Sequence, residues 1–222
     1  FRRVLFRSTY MQMERDGLSA CDWSALFFTH SDDDHFTVSE IQYSMVPFTK
    51  LEFLPYTIFG NATVTSLIRK RYPDWPMELV ETRSFESYMH SGYRVTPIHA
   101  THIEDEDCQN LIFEKDGKVL LYATDTGVWG EPTWEFLQSY QLDALVIECT
   151  DGFDSTPYEG HLDIKECVRV VDRLHTMGTL RGNSRVVTTH HSSRGMATHA
   201  QLEEALLPHN IEPGYDGIEI VV

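Results

Sequence analysis

Positive charge is scarce in this chain of 222 residues: 18 lysines and arginines face 34 acidic residues, for a formal charge of −16. That balance argues against a broad electrostatic surface for nucleic acid. The one dense basic run, Arg69-Lys70-Arg71, fits a solvated helix end. Long apolar runs are also missing. No stretch approaches the ~20 residues that a membrane span requires, so no membrane partner is expected. Cysteine is sparse, and Cys21, Cys108, Cys149 and Cys167 show no CxxC spacing. Such scatter predicts neither a disulfide framework nor a thiolate zinc site, and fits free thiols in a reducing, cytoplasmic compartment. Internal repeats and low-complexity segments are absent as well.

What is present is enough apolar content, 41%, for a substantial core in one domain. The opening "FRRVLFRS" is basic, unlike the acidic remainder, and has no initiator Met. It has no apolar region long enough for a signal peptide. Residues 1–8 are therefore expected to be a non-native leader, and residues 9–222 a single domain truncated at its N-terminus. Residues 9–17 predict a short helix. "ALFFTH" (25–30) predicts a buried strand and "TVSEIQYSM" (37–45) a helix with a Thr37–Glu40 capping box. A strand "YTIFGN" and a helix over 62–72, stopped by Pro73, follow. "SFESYMHS" and "YRVTPIHATH" predict consecutive strands, and "NLIFEKDGKVLLYAT" a hairpin turning near Asp116-Gly117. "PTWEFLQSY" predicts a helix and "DALVIECT" a central strand. A helix over 163–178 opens with Asp163 three residues before Glu166. The strand "RVVTTH", the helix "THAQLEEALLPH" and a last strand "GIEIVV" complete a layered α/β protein.

Eleven histidines are many for this length, and their positions matter more than their number. His30 ends one apolar strand and His102 follows another. Asp125 ends "KVLLYAT" and His190 ends "SRVVTT". Open α/β sheets place ligand sites at strand ends. Around His30, "FFTHSDDDHF" crowds His30 and His35 about three aspartates, which demands a compensating charge. Imidazole with carboxylate suits zinc, manganese or iron. Two divalent cations sharing one bridging carboxylate need about seven such ligands.

With these residues in place, the chain resembles the metallo-β-lactamase superfamily over residues 23–222. The superfamily signature, His-x-His-x-Asp-His after an apolar strand and a Thr, is met by "THSDDDH". "VTPIHATH", "LLYATDTG", "VVTTHHS" and "YDGIEIVV" resemble its later segments in order. The resemblance implies a four-layer α/β/β/α sandwich, here without its N-terminal strands, and a site for two divalent metal ions. Site one would hold His30, Asp32, His102 and the bridging Asp125. Site two would hold Asp34, His35, Asp125 and His190. His99 competes with His102, and His191 with His190. Asp33 is left as a solvent-facing spacer. Asp32 departs from the family, which has histidine there. A carboxylate makes site one harder, favouring manganese or iron, or it marks weaker or single-metal binding.

Zinc β-lactamases generally carry cysteine in the role of Asp125, so antibiotic hydrolysis is not expected. "EGHLDIKEC" resembles the phosphodiesterase and tRNA 3′-processing branch, in which an extra histidine before a helix serves near the leaving group. His161 takes that place. The resemblance therefore implies a small-molecule phosphodiester substrate, with Asp34 and His161 as the catalytic side chains. A thioesterase or lactonase shares the ligands but does not need His161. A degenerate, non-catalytic member is the alternative of another class. "MVPFTKLEFLPY" (45–56) either lines the pocket or packs in the core. The oligomeric state is open, a homodimer included.

Overall fold

The computed structural model describes residues 15, 17–19, 23–44, 47–48, 50 and 56–222. The expected leader at 1–8, most of the helix at 9–17, Cys21 and most of the 45–56 stretch lie outside the described residues. The chain divides into two compact units, Phe1–Arg83 and Ser84–Val222.

In the first unit, β1 (Ala25–Phe27), β2 (Thr57–Gly60) and β3 (Leu79–Glu81) form a parallel sheet in that order. The amide of Phe28 extends the β1–β2 ladder by bonding the Phe59 carbonyl at 2.9 Å. Helix α1 (Ala62–Arg71) begins where the Asn61 side chain accepts from the Val64 amide. It ends before Pro73, and Val64 and Ile68 join Leu26, Phe28 and Ile58 in one buried cluster. Such burial stabilises by about 25 cal/mol per Å² of apolar surface, so the short strands are held mainly by their side chains.

The segment expected as a capped α-helix at 37–45 is instead a 3-10 helix, Val38–Ser44. The Thr37 hydroxyl donates to the Asp33 carbonyl at 2.9 Å. It braces the preceding loop through a local bond four residues back, in place of the Glu40 amide that the capping pattern would have it accept from.

The second unit holds a seven-stranded sheet in the order β10-β9-β8-β7-β6-β5-β4. Its strands are β4 (Tyr88–His90), β5 (Tyr93–His99), β6 (Gln109–Lys115), β7 (Lys118–Ala123), β8 (Leu142–Glu148), β9 (Leu180–Thr189) and β10 (Glu212–Pro213). β4 to β7 alternate in direction, whereas β7 to β10 are parallel. β5, β7, β8 and β9 therefore all finish at the same sheet edge. Asp116 (φ 51°) and Gly117 (φ 76°) make the two-residue hairpin turn, whose twist matches the strands.

Helices α2 (Glu131–Leu137), α3 (Ile164–Thr176) and α4 (His199–Leu206) connect the parallel strands. Trp134, Leu137, Val170, Leu174 and Leu202 from the helices share a core with Ile112, Leu121, Leu145 and Ile147 of the sheet. Asp163 and Glu166 form a reciprocal capping box at the start of α3, as their spacing predicts. Among the described residues, no helix is long and apolar enough to cross a membrane.

The expected last strand "GIEIVV" is not one. The final ladder is β10, with Glu212 beside Val187 and Pro213 beside Thr188. Beyond it the Gly214 amide bonds the Thr188 carbonyl, and the chain turns at Gly217 (φ 87°) with Ile218 bonded to Tyr215. Residues 218–222 make no strand ladder, and the Glu219 carbonyl is bonded instead by the Arg185 guanidinium of β9 at 2.9 Å.

Candidate metal and catalytic site

The loop after β1 is a built structure. Phe28 and Phe36, both buried, meet edge to face at 4.8 Å and clamp its two ends. Inside it the His35 and Phe36 amides both bond the Asp32 carbonyl, at 2.9 and 2.7 Å. His30 and His35 are buried with ring centroids 4.5 Å apart. Asp32 Oδ2 lies 3.7 Å from His30 Nε2, and Asp34 Oδ2 lies 3.5 Å from His35 Nε2. Asp33 and Asp34 are both exposed. The first unit thus gathers two imidazoles and two carboxylates within one turn.

The second unit gathers its own set at the edge where β5, β7, β8 and β9 end. Asp125, two residues past β7, is buried, and its Oδ1 lies 3.1 Å from Nε2 of His190, the residue after β9. Both residues have positive φ, 47° for Asp125 and 59° for His190. Left-handed backbone at two non-glycine residues is strain of the kind found at functional sites. His102 and His161 stand with ring centroids 4.9 Å apart, and His161 and His190 5.7 Å apart. Asp125, Glu148 and His161 each offer a ligand atom, all within 4.8 Å of one another.

The imidazoles share a pattern that suits a cation. Nδ1 of His102 donates to the Gly160 carbonyl at 2.9 Å. Nδ1 of His190 meets the Thr150 hydroxyl at 2.8 Å, and Nδ1 of His30 meets the Thr29 hydroxyl at 2.9 Å. In each case the outer oxygen fixes ring orientation and leaves Nε2 as the nitrogen a metal would take.

The competing histidines are placed elsewhere. His99 Nδ1 pairs with Asp107 Oδ1 at 3.2 Å. His191 Nε2 meets the Thr188 hydroxyl at 2.9 Å, and burial, then His199 and His190, push its pKa down. The His99 partner has a measurable signature. Burial alone would raise the Asp107 carboxyl. Hydrogen bonds from His99, from Ser84 through its hydroxyl and amide, and from Gln109 outweigh it and hold the pKa at about 2 instead of 3.8. A depressed carboxyl stabilises the fold above its unfolded pKa, and that stability is lost as pH falls through the folded value. Chemical denaturation of Asp107→Asn should therefore show a shallower loss of stability than the wild type between about pH 4 and 2. Parallel curves across that window contradict the assignment.

Glu148 is a site residue that the sequence reading missed. It ends β8 with no exposure at all. Its Oε1 accepts from the Thr126 amide at 2.7 Å and faces His161 Nδ1 at 2.8 Å. Its Oε2 accepts from the amides of Thr150 at 3.1 Å and Leu162 at 3.0 Å. The only signal was an acid closing an otherwise apolar strand, "ALVIE". His161 responds to it. Burial pulls the imidazole pKa down, but the Glu148 hydrogen bond and the charges of Glu148, Asp125 and Asp151 together raise it.

A sequence profile of the β-lactamase superfamily domain matches residues 6–191. The metallo-β-lactamase fold protein YhfI from Bacillus subtilis superposes with a TM-score of 0.74 at 14% identity, covering 96% of this chain and 84% of that one. A diphosphatase of the PhnP family superposes with a TM-score of 0.73 at 18% identity, covering 98% and 78%. Zn²⁺-bound PqqB from Methylobacterium extorquens superposes with a TM-score of 0.73 at 12% identity, covering 98% and 81%. No curated protein sequence gives a significant match.

Proposed function

This chain belongs to the β-lactamase superfamily domain family and has the metallo-β-lactamase fold, and from that premise we propose that it is a metal-dependent hydrolase of a small phosphodiester. The proposed ligands are His30, Asp32, His102 and Asp125 for one divalent ion, and Asp34, His35, Asp125 and His190 for a second. Support comes from their order along the chain and from the donor types that each unit assembles. Asp32 supplies a hard oxygen where the family has imidazole, which favours manganese or iron over zinc. Bound divalent cations supply Lewis acidity, acidifying water and drawing charge from phosphoryl oxygens.

The chain's own residues then manage the leaving group. Glu148, held by three backbone amides, accepts from Nδ1–H of His161 and favours the protonated ring. As a water oxygen bonds to phosphorus and the P–O bond to the leaving group breaks, the Nε2 proton passes to the departing alkoxide, and Glu148 balances the imidazolium beforehand. This His161–Glu148 pair supports the phosphodiester reading over a thioesterase, because a thiolate departs with less need of such an acid. The likeness to a PhnP-family diphosphatase is consistent with it. The test is turnover of bis-p-nitrophenyl phosphate, a thioester and a lactone with manganese present. Phosphodiester turnover should dominate; thioester or lactone turnover alone rejects the reading. His161→Ala should lower turnover of a phosphodiester with an alkoxide leaving group, such as glycerophosphocholine, by about 100-fold or more, with bound metal retained, and turnover of bis-p-nitrophenyl phosphate far less. An unchanged rate removes His161 from the mechanism.

A further inference from the structure

One aromatic residue at the same edge has no part in the mechanism above. Tyr158 lies on the loop between β8 and α3, and half of it is exposed to solvent. Its ring stands edge to face with His161 at 5.5 Å and with His102 at 6.0 Å. The hydroxyl donates to the His102 carbonyl at 3.4 Å and lies 3.3 Å from His102 Nδ1.

Two glycines hold the ring there. A Cβ on Gly160 would come within 2.4 Å of the Tyr158 ring and hydroxyl, so the ring folds back over a position that admits no side chain. A Cβ on Gly127 would strike the Glu159 carbonyl at 1.7 Å, which lets the β7 loop press against the Tyr158 loop. Thr156 ties the same loop down, its hydroxyl donating to Asp151 Oδ2 at 2.9 Å. Next to Gly127, Val128 is also exposed, and its carbonyl is bonded by the Thr101 hydroxyl beside His102. An apolar wall, one face of it aromatic and held in position, therefore flanks the histidine that serves the leaving group.

We infer that Tyr158 is a specificity-determining residue whose ring selects phosphodiesters with a planar aromatic group on the leaving side. The inference rests on the phosphodiester reading above. Aromatic rings prefer edge-to-face or offset contact with other rings over contact with saturated groups of like size. A half-exposed ring fixed by backbone contacts offers that contact at little cost in side-chain freedom.

Calorimetric titration of the manganese-loaded protein with phenylphosphonate and cyclohexylphosphonate tests this without turnover. The wild type should bind the phenyl probe about fivefold more tightly. Tyr158→Phe should keep that ratio, and Tyr158→Leu should bring the two probes to near equality. An unchanged ratio in Tyr158→Leu overturns the inference, as does a Tyr158→Phe variant that brings the two probes to equality, which would place the preference on the hydroxyl and not on the ring. A wild type that binds both probes equally overturns this inference alone. One that binds neither overturns it together with the phosphodiester reading.

Discussion

Asp125→Asn should lower turnover by about 1,000-fold or more. The proposed bridging carboxylate serves both ions, and its loss removes several kcal/mol of charge stabilisation at the reacting phosphoryl group, each ~1.4 kcal/mol being tenfold in rate. Asparagine is the informative replacement. Asp125 sits at φ 47°, a region that Asn tolerates better than alanine does, so the backbone is not the cause of the loss. Asn also keeps a polar atom for the contact with His190 Nε2, 3.1 Å from Asp125 Oδ1. The metal-free variant should therefore unfold within about 1 kcal/mol of metal-free wild type. Activity loss with near-normal stability and reduced metal content is the expected combination. A variant that retains both metal and activity removes Asp125 from the site.

Glu148→Ala has the opposite profile: its largest effect is on stability. Three buried amides, those of Thr126, Thr150 and Leu162, lose their acceptor together, and His161 loses its partner. Each buried donor left unsatisfied costs about 1–3 kcal/mol. The sum approaches the ~5–15 kcal/mol that holds a typical domain folded. Urea denaturation should show a loss of at least about 3 kcal/mol, or no folded protein at all. Glu148→Gln keeps the shape and one acceptor oxygen but turns an NH₂ toward backbone donors, so it should fall between. His161→Ala removes only the partly exposed member of the pair and should cost far less. A Glu148→Ala protein as stable as wild type would show that these amides find other acceptors.

The contrast between these residues shows what a reader of the sequence could and could not see. The placement of Asp125 and His190 at one end of the sheet was legible because each closes an apolar strand run, and the proximity of His30 and His35 because they bracket an acidic crowd. The hairpin at Asp116-Gly117 and the start of α3 were visible because turn and capping chemistry is local. Glu148 was not, because its role depends on amides at positions 126, 150 and 162, which only the folded sheet edge brings to it. Thr37 offered a capping pattern, but its hydroxyl serves the Asp33 carbonyl. The tail at 217–222 had the alternation of a strand, yet after the turn at 215–218 it meets β9 through the Arg185 guanidinium and not through a backbone ladder. His99 competed with His102 at the sequence level; in the fold His99 pairs with Asp107, whereas His102 bonds the Gly160 carbonyl.

The imidazoles and carboxylates are proposed to hold divalent metal. Metal content tests this most directly: the purified protein is dialysed against manganese or zinc, freed of unbound ion, and measured by mass spectrometry of the elements. Two tightly held divalent ions per chain, reduced in Asp125→Asn, are the expected result. A folded protein that carries no stoichiometric metal and takes up none would contradict the account.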